Sequence, residues 1–360
     1  MDKMLLIRAL VVAVLMLQVF VQAGETEAAD GYDIIEKGGD VVRVLNDGTL
    51  KGRVAWAFDT PTEGSAPMGL LLQHLRAAHD IAWASYKPTH PEVISVLNEH
   101  PRAWGIYDRN YCGKACLKAY GRNDRITPIG LGIYKKKSKR KWFVMHHKFA
   151  VLNLGVDGGA GEQGVLTGSF NWNESAANRN YENLVYIQSR KIAEAYAQEF
   201  KRIESQETDS SEIVSDEGVS VAFNRAGVGL IQDRIKAAKQ TVLVAVWSIS
   251  VSSAKNPNPL YDALLAAVER GVDVRVLTDA HKAKKRKYGK LNVLKAHMPD
   301  KKGHMHHKFI VIDGEEVVTG SFNFVTKSLS GNYENVIAIK SLAMAASFTD
   351  HWNSVAKATR

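Results

Sequence analysis

The amino-acid sequence predicts an α/β protein made of two similar lobes, each a mainly parallel sheet flanked by helices. The first observation is a repeated motif: MHHKFAVLN and LTGSFN lie within residues 145–171, and MHHKFIVID and VTGSFN lie within residues 305–323. Each copy is followed by the tetrapeptide NYEN, at residues 180–183 and 332–335. Because the same polar pattern recurs in both halves, we expect two lobes that assemble one site at their interface.

The second observation is the order of apolar strands and amphipathic helices, which is the same in both halves. Strands that alternate with helices of about 10–15 residues indicate a mainly parallel sheet with helices on its faces. The predicted elements are 53–58, 69–79, 81–86, 91–100 and 103–107 in the first half, and 219–223, 228–239, 241–249, 260–270 and 272–278 in the second.

The start of the chain has the pattern of a secretory signal peptide, residues 1–23. Lys3 and Arg8 precede an apolar run of 13 residues, 9–21, and small residues allow cleavage near Ala23. That run is short for a membrane span, which needs roughly 20 residues, although an uncleaved anchor is the alternative. We therefore expect an exported protein, either secreted or periplasmic.

The rest of the chain divides into an N-terminal lobe (24–203), an acidic linker (204–218) and a C-terminal lobe (219–360). The linker combines acidic residues and serines and has no apolar periodicity. Asn46-Asp47-Gly48 indicates a hairpin that leads into the first lobe. We expect the protein to act as a monomer.

Charge and cysteine content limit the partners and the redox state. The formal net charge is +9, and it falls to +8 without the signal peptide. A basic exported protein tends to bind phosphate, in nucleic acid, anionic lipid or an acidic polymer, although the charge could serve solubility alone. Export favours a disulfide between Cys112 and Cys116, with two free thiols as the alternative. Zinc is disfavoured because no second cysteine pair or nearby histidine completes a ligand set.

The second motif copy carries residues that suit a phosphodiester. His306 and Lys308 are two positions apart on a predicted strand, so their side chains share one face. An imidazole can attack phosphorus while an ammonium and amide donors hold the charged oxygens. Asp313 completes the spacing H-x-K-x4-D and is predicted to be a catalytic residue with His306 and Lys308, and Ser321 and Asn323 follow.

The first copy supplies a second histidine, which this chemistry requires. One histidine holds the phosphoryl group, and the other, His146 or His306, must protonate the leaving oxygen. Glu182 and Glu334, in the two NYEN tetrapeptides, are candidates to bind the far nitrogen of each histidine and to fix its tautomer.

These motifs resemble the HKD motifs of the phospholipase D superfamily, with both copies in one chain. The second lobe is similar to the small bacterial HKD endonuclease and to the mitochondrial cardiolipin hydrolase type. The resemblance implies a metal-independent reaction without cofactor, through a phosphohistidine, at the interface of two lobes. It implies that His146 and His306 are nucleophile and general acid, with His146 favoured as the nucleophile. The residues that it implies for binding phosphate oxygens are Lys148, Lys308, Asn171 and Asn323, and those that support the pocket are Ser169 and Ser321.

The first copy departs from the family pattern at two places. Asn153 stands where the motif has an aspartate, and Lys148 to Gly168 spans 20 positions against 12 from Lys308 to Gly320. An insertion of eight residues explains the second departure. Neither change removes a residue expected to contact phosphate. A histidine metal cluster is disfavoured, because each His-x-Lys places an ammonium beside the supposed ligand.

The functional hypothesis is an exported phospholipase D-type phosphodiesterase that hydrolyses phospholipid headgroup esters, with contact to an anionic membrane surface. The alternative is an endonuclease acting on DNA or RNA, favoured by basic clusters at 135–141 and 282–287. A third hypothesis is a phosphate-binding protein whose catalysis lapsed with Asn153.

Overall fold

The computed structural model describes residues 25–29, 31–37, 40–46, 48–61, 65–131, 133–136, 139–154, 161–207, 212–283, 287–298 and 302–359. The predicted signal peptide and most of the predicted eight-residue insertion lie outside these ranges. Within them, no helix is both long enough and apolar enough to cross a membrane.

The first lobe contains twelve strands and five helices within the described residues. Its strands are β1 (Glu25–Ala29), β2 (Tyr32–Lys37), β3 (Asp40–Leu45), β4 (Val54–Asp59), β5 (Ile81–Ser85), β6 (Ala103–Asp108), β7 (Ile126–Ile129), β8 (Ile133–Lys136), β9 (Lys139–Trp142), β10 (Lys148–Leu152), β11 (Gly164–Gly168) and β12 (Glu182–Gln188). Its helices are α1 (Ala66–Ala77), α2 (Pro91–Glu99), α3 (Gly113–Tyr120), α4 (Glu174–Arg179) and α5 (Arg190–Glu204).

The second lobe repeats this order with fewer strands in the part of the chain that is described. Its strands are β13 (Val214–Asp216), β14 (Val219–Phe223), β15 (Thr241–Val246), β16 (Asp273–Asp279), β17 (Asn292–Ala296), β18 (Lys308–Ile312), β19 (Glu316–Gly320) and β20 (Asn335–Lys340). Its helices are α6 (Asn224–Ala237), α7 (Pro259–Glu269), α8 (Ala280–Ala283), α9 (Thr326–Ser330) and α10 (Leu342–Ala358).

The two main sheets show the predicted α/β class and the two similar lobes, but the prediction of mainly parallel sheets is wrong. The strand orders are β1-β2-β3-β4-β12-β11-β10-β5-β6-β7 and β13-β14-β20-β19-β18-β15-β16-β17. Among the strands of the described residues, only β5-β6-β7 and β15-β16-β17 pair in parallel. The units β5-α2-β6 and β15-α7-β16 account for two of those parallel pairs, whereas the motif strands β10–β12 and β18–β20 pair antiparallel.

The described residues form three apolar cores, one within each lobe and one between the two lobes. Each lobe has an outer apolar core between its sheet and the helices on that face. A third core lies between the two sheets and includes residues of α5 and α10 from both lobes. In this middle core the indole of Trp56 donates to Ser347 Oγ (3.1 Å), and Phe58 contacts Phe348 with ring centroids 4.7 Å apart. The middle core fixes how the lobes face each other.

Matching helix starts show how closely the repeat is kept. Ser189 begins α5 and accepts the Ile192 N–H, and Ser341 begins α10 and accepts the Met344 N–H, both at 3.1 Å. A serine at this position satisfies a backbone donor that the helix itself leaves free. The two middle-core helices therefore start in the same way from corresponding strands.

The segment between the lobes is more ordered than a linker at both of its ends. Glu204 is the last residue of α5, and residues 214–216 form β13 at the edge of the second sheet. The predicted hairpin turn around Gly48, with φ of 65°, lies in the connection between the antiparallel pair β3 and β4. Cys112 and Cys116 form a disulfide, as export favoured.

Candidate active site at the lobe interface

Each motif histidine sits just before a buried strand and is anchored through the residue that precedes it. The N–H of Met145 donates to Asp108 Oδ2 (2.9 Å), and the N–H of Met305 donates to Asp279 Oδ2 (3.2 Å). Asp108 is the last residue of β6 and Asp279 is the last residue of β16, and both side chains are fully buried. Neither aspartate was predicted as a site residue, although their corresponding positions at two strand ends are a usable signal in the sequence.

Backbone hydrogen bonds join the histidine segment of one lobe to the NYEN segment of the other. The His146 N–H donates to the Tyr333 carbonyl (2.9 Å), and the His306 N–H donates to the Tyr181 carbonyl (3.0 Å). The return bonds run from Tyr333 to Val144 and from Tyr181 to His304. These bonds hold the two histidines at the interface itself.

The two glutamates are exchanged between the lobes. His146 Nδ1 lies 2.8 Å from Glu334 Oε2, and His306 Nδ1 lies 2.7 Å from Glu182 Oε1. A carboxylate at Nδ1 accepts a hydrogen bond from the protonated Nδ1, so the lone pair of each neutral ring is on Nε2. Each half of the site is thus built from both motif copies.

The serines of the motifs bind the glutamates. Ser321 Oγ donates to Glu334 Oε2 (2.6 Å), and Asn332 Nδ2 donates to Glu334 Oε1 (3.0 Å). The first copy repeats this arrangement, with donors Ser169 (2.7 Å) and Asn180 (3.1 Å) on Glu182. The serines therefore orient the carboxylates that orient the histidines. The predicted support of the pocket by the serines would act through these hydrogen bonds, from serine to glutamate to histidine.

The glycine before each serine is required by the backbone. Gly168 and Gly320 have φ of 154° and 145°, a region that favours glycine. An added Cβ at these positions would lie 2.3 Å from the Asn183 carbonyl oxygen and 2.2 Å from the Asn335 carbonyl oxygen. The close contact explains why both motifs have glycine at this position.

The motif lysines and asparagines are buried beside the histidines. Lys148 Nζ donates to the His146 carbonyl (2.5 Å), and Lys308 Nζ donates to the His306 carbonyl (2.7 Å). Asn171 and Asn323 follow the two serines, and neither has a hydrogen-bond partner for its side-chain oxygen among the described residues. These amides keep hydrogen-bonding capacity that the described protein groups do not use.

Burial dominates the electrostatics of the site. It lowers the pKa of Lys148 to about 7, with a further contribution from the charge of Lys308, and it lowers the pKa of Lys308 to about 8. Burial also lowers the pKa of His146 to about 4 and holds that of His306 well below its usual value. Both imidazoles are therefore neutral near pH 7, the state that a nucleophilic nitrogen requires.

The two glutamates differ in their neighbours. Asp59 of β4 lies directly opposite Glu182 of β12, and burial raises the pKa of Asp59 to about 9, assisted by the charge of Glu182. Asn224 takes the corresponding place beside Glu334 and accepts its N–H (2.9 Å). Burial raises the pKa of Glu182 to about 7. The pKa of Glu334 falls to about 2 because His146 and Lys148 outweigh its burial.

The catalytic role predicted for Asp313 needs correction. Its carboxylate accepts the N–H groups of Lys239 (2.8 Å), Gln240 (2.7 Å) and Thr241 (2.8 Å), and its φ is 51°. It lies past the far end of β18, roughly 16 Å along the strand from Lys308. Asn153 has the same place in the first lobe and accepts the His79 N–H (2.7 Å). Both residues stabilise turns, so the asparagine leaves the reacting centre unchanged.

The second histidine of each motif points to the opposite face of its strand, away from the reacting centre. His147 Nε2 lies 3.1 Å from Glu199 Oε1, and His307 Nε2 lies 2.8 Å from His351 Nε2. All four side chains are packed in the middle core. No group of three or more His, Cys, Asp or Glu side chains in the described ranges could hold a metal ion. The metal-free reaction rests on the lysines and stays a prediction.

Comparison with known proteins places the chain in a family. The family described as "Cardiolipin synthase, PLD-like domain" matches residues 71–204 and 231–356. The phospholipase D of Rickettsia bellii is 33% identical over 129 residues, which cover 34% of this chain and 61% of that protein. The mitochondrial cardiolipin hydrolase of Xenopus tropicalis is 34% identical over 145 residues, covering 40% and 63%. The chain spans somewhat over half the length of these relatives.

Solved structures show the same fold over nearly the whole chain. A phosphatidylserine synthase from Haemophilus influenzae superposes with a TM-score of 0.58 at 11% identity, covering 97% of this chain and 91% of that one. A polyphosphate kinase from Porphyromonas gingivalis gives 0.56 at 13% identity, covering 79% and 45%. The repeated family match and the shared two-lobe fold lead to one conclusion: the chain belongs to the phospholipase D superfamily and carries two copies of its domain.

Proposed function

We propose that this protein hydrolyses phosphodiesters, with phospholipid headgroup esters as the substrate class, in two steps through a phosphohistidine. The observation that carries the proposal is the pair of histidines, each with its Nδ1 on a glutamate of the opposite lobe and each beside a buried lysine. Two tautomerically fixed imidazoles lie next to two lysines whose protonated forms a bound phosphate anion favours, and this arrangement matches the needs of a charged phosphorus centre.

The proposed first step forms the bond between His146 Nε2 and phosphorus, while the bond to the leaving oxygen breaks. His306, protonated in the complex with the anionic substrate, gives its proton to that oxygen. In the second step His306 takes a proton from water, whose oxygen attacks phosphorus and releases His146. Glu334 stabilises the positive ring that forms on His146, and its lowered pKa keeps it ionised for that purpose. Lys148 and Lys308 hold the phosphate oxygens.

Independence of metal ions follows from the same cations. Lys148 and Lys308 supply positive charge where a dication would otherwise act. The names of the relatives, phospholipase D and mitochondrial cardiolipin hydrolase, support a lipid substrate. The signal-peptide pattern and the Cys112–Cys116 disulfide support action outside the cytosol, as a secreted or periplasmic monomer at an anionic membrane surface.

The test is choline release from phosphatidylcholine vesicles by the mature protein in excess EDTA. We expect release that persists in EDTA and disappears in His306→Ala, because both charge and proton transfer come from side chains. Activity lost in EDTA and restored by zinc would contradict the metal-free reaction. Folded protein that releases no choline, nor the headgroups of other phospholipids, would remove the lipid substrate from the proposal.

A second candidate, an endonuclease, is favoured by the ribbon formed by β8 and β9. This two-stranded sheet is separate from the main sheets and pairs Lys135 with Arg140 and Lys136 with Lys139. A two-stranded ribbon with basic residues along both strands has dimensions that fit a nucleic-acid groove. The second basic cluster, 282–287, is described only at its ends.

If the ribbon binds nucleic acid, replacing the lysines of residues 135–141 with glutamine weakens DNA binding and flattens its salt dependence. Each lost phosphate contact lowers the slope of log K against log salt by about 0.9. The measurement is a salt titration of DNA affinity for the wild type and this variant. Lys236 and Lys290, both exposed on the second lobe, provide control substitutions. An unchanged slope would leave the ribbon without a role in nucleic-acid binding.

A further inference from the structure

The two sides of the site carry different residues at corresponding positions. Tyr86 follows β5 and Trp247 follows β15, and their N–H groups donate to the carbonyls of His147 and His307 (2.9 and 3.0 Å). The Tyr86 ring lies 5.1 Å from the His146 ring, and the Trp247 ring lies 5.2 Å from the His306 ring. Each reacting histidine thus has one aromatic neighbour of its own lobe.

Beyond these rings the first lobe has a tyrosine where the second has a lysine. Tyr111 and Lys282 correspond because the N–H of each donates to the buried aspartate three residues earlier (2.8 and 3.2 Å). Tyr111 packs on Tyr86, with ring centroids 5.8 Å apart. Lys282 Nζ lies 4.1 Å from the centroid of the Trp247 ring, a cation–π contact. The partly exposed Lys282 is therefore separated from His306 by the ring of Trp247 alone.

Two histidines add hydrogen-bond donors to the second-lobe side. His304 corresponds to the buried Val144, and its ring lies 5.9 Å from Trp247 and 6.4 Å from His281. His281 is exposed and His304 is partly exposed. Their imidazoles can donate hydrogen bonds to an anion.

The acidic residue beside these three cationic or polar side chains, Asp279, already accepts hydrogen bonds from neighbouring groups. Asp279 is fully buried, and it binds the N–H groups of His281 (3.0 Å), Lys282 and Met305, with His304 Nδ1 at 3.4 Å. The first-lobe side also has cations: Lys148 Nζ lies 5.3 Å from the centroid of the Tyr86 ring, and Lys327 reaches Tyr111 from the second lobe. The ammonium of Lys327 lies 5.0 Å from the Tyr111 ring and 3.3 Å from the hydroxyl of that ring.

We propose that Lys282, His304 and His281 form a subsite for a second phosphate group of the substrate, on the second-lobe side of the reacting phosphorus. Trp247 forms the floor between this subsite and His306. The aromatic pair Tyr86 and Tyr111 then receives the other, less charged substituent of the diester. The inference rests on the proposed phosphodiesterase and names the chemistry that directs its substrate: a phosphodiester with another phosphate nearby, as in a phosphorylated lipid headgroup or a polynucleotide.

Two matched pairs of substrates test the subsite and separate its two sources. The nucleotide pair is thymidine 5′-(p-nitrophenyl phosphate) with and without a 3′-phosphate. The lipid pair is phosphatidylcholine vesicles that contain either phosphatidylinositol or phosphatidylinositol 4-phosphate. The quantity compared is the ratio of kcat/KM with and without the second phosphate, in wild type, Lys282→Gln, His304→Gln and the control Lys290→Gln.

We expect a ratio of about 10 in one pair for the wild type and for Lys290→Gln, a smaller ratio for His304→Gln, and a ratio of about 1 for Lys282→Gln. The pair that shows the preference identifies a lipid or a nucleotide source. A wild-type ratio near 1 in both pairs, or a preference that Lys282→Gln retains, would overturn the subsite. Failure to hydrolyse any of the four substrates would instead overturn the phosphodiesterase.

Discussion

His146→Ala and His306→Ala are each expected to abolish turnover, with a loss of at least about 10⁴-fold in kcat, because the two histidines act as one unit. One forms the bond to phosphorus and the other moves the proton, so neither step proceeds with a single imidazole. The measurement is the single-turnover rate of each variant and of the double variant, on a diester that the wild-type protein hydrolyses. We expect the double variant to be no slower than either single variant.

His297→Ala is the matched control for these variants. His297 is exposed on the second lobe, and its N–H donates to the Thr359 carbonyl (2.8 Å), a contact that alanine keeps. The control should retain wild-type rates and folding. If either motif variant kept full activity, or if the losses of the two variants multiplied in the double variant, a single shared site would be excluded.

Glu334→Gln is expected to lower kcat by about 10²–10⁴-fold, although its histidine belongs to the other motif copy. The glutamine amide can accept a hydrogen bond from Nδ1 but carries no negative charge. The Nδ1-protonated tautomer of His146 and its positively charged form are therefore both less stable. Glu182→Gln is expected to act in the same way on His306. Nitrogen NMR of labelled histidine, together with kcat, measures the tautomer of each ring.

The exchange between the lobes makes this prediction specific. Glu334→Gln should change the ring-nitrogen signals of His146, and Glu182→Gln those of His306. The control is Glu315→Gln, at an exposed turn of the second lobe. If Glu334→Gln altered His306 and left His146 unchanged, each glutamate would serve its own lobe, contrary to the distances.

The sequence predicted the elements well where an apolar strand follows an amphipathic helix. Strand 219–223 has the predicted bounds, and the other elements agree within a few residues. The direction of the sheets was not predictable in the same way. Helix α2 joins β5 and β6, which pair in parallel, whereas α4 joins β11 and β12, which pair antiparallel. A strand–helix–strand pattern in the sequence therefore does not determine the direction of the pair.

The motif residues identified the place of the site, but the spacing along the chain could not show which glutamate serves which histidine. That pairing depends on how the two sheets face each other across the middle core. Asp59, Asp108 and Asp279 escaped detection for a related reason: an aspartate at the end of a strand usually faces water. Asp313 was misassigned because a motif position indicates correspondence and not contact with the reacting atoms.

Containing both motif copies in one chain has a consequence for specificity. Two identical chains related by a twofold axis would have to present the same residues on both sides of their shared site. Here the covalent connection lifts that restriction. One flank carries Tyr111 and Val144, and the other carries Lys282 and His304, so a diester with two unlike ends meets two unlike surroundings. The duplication would thereby allow a nearly symmetric site to bind an asymmetric diester in one of its two possible orientations.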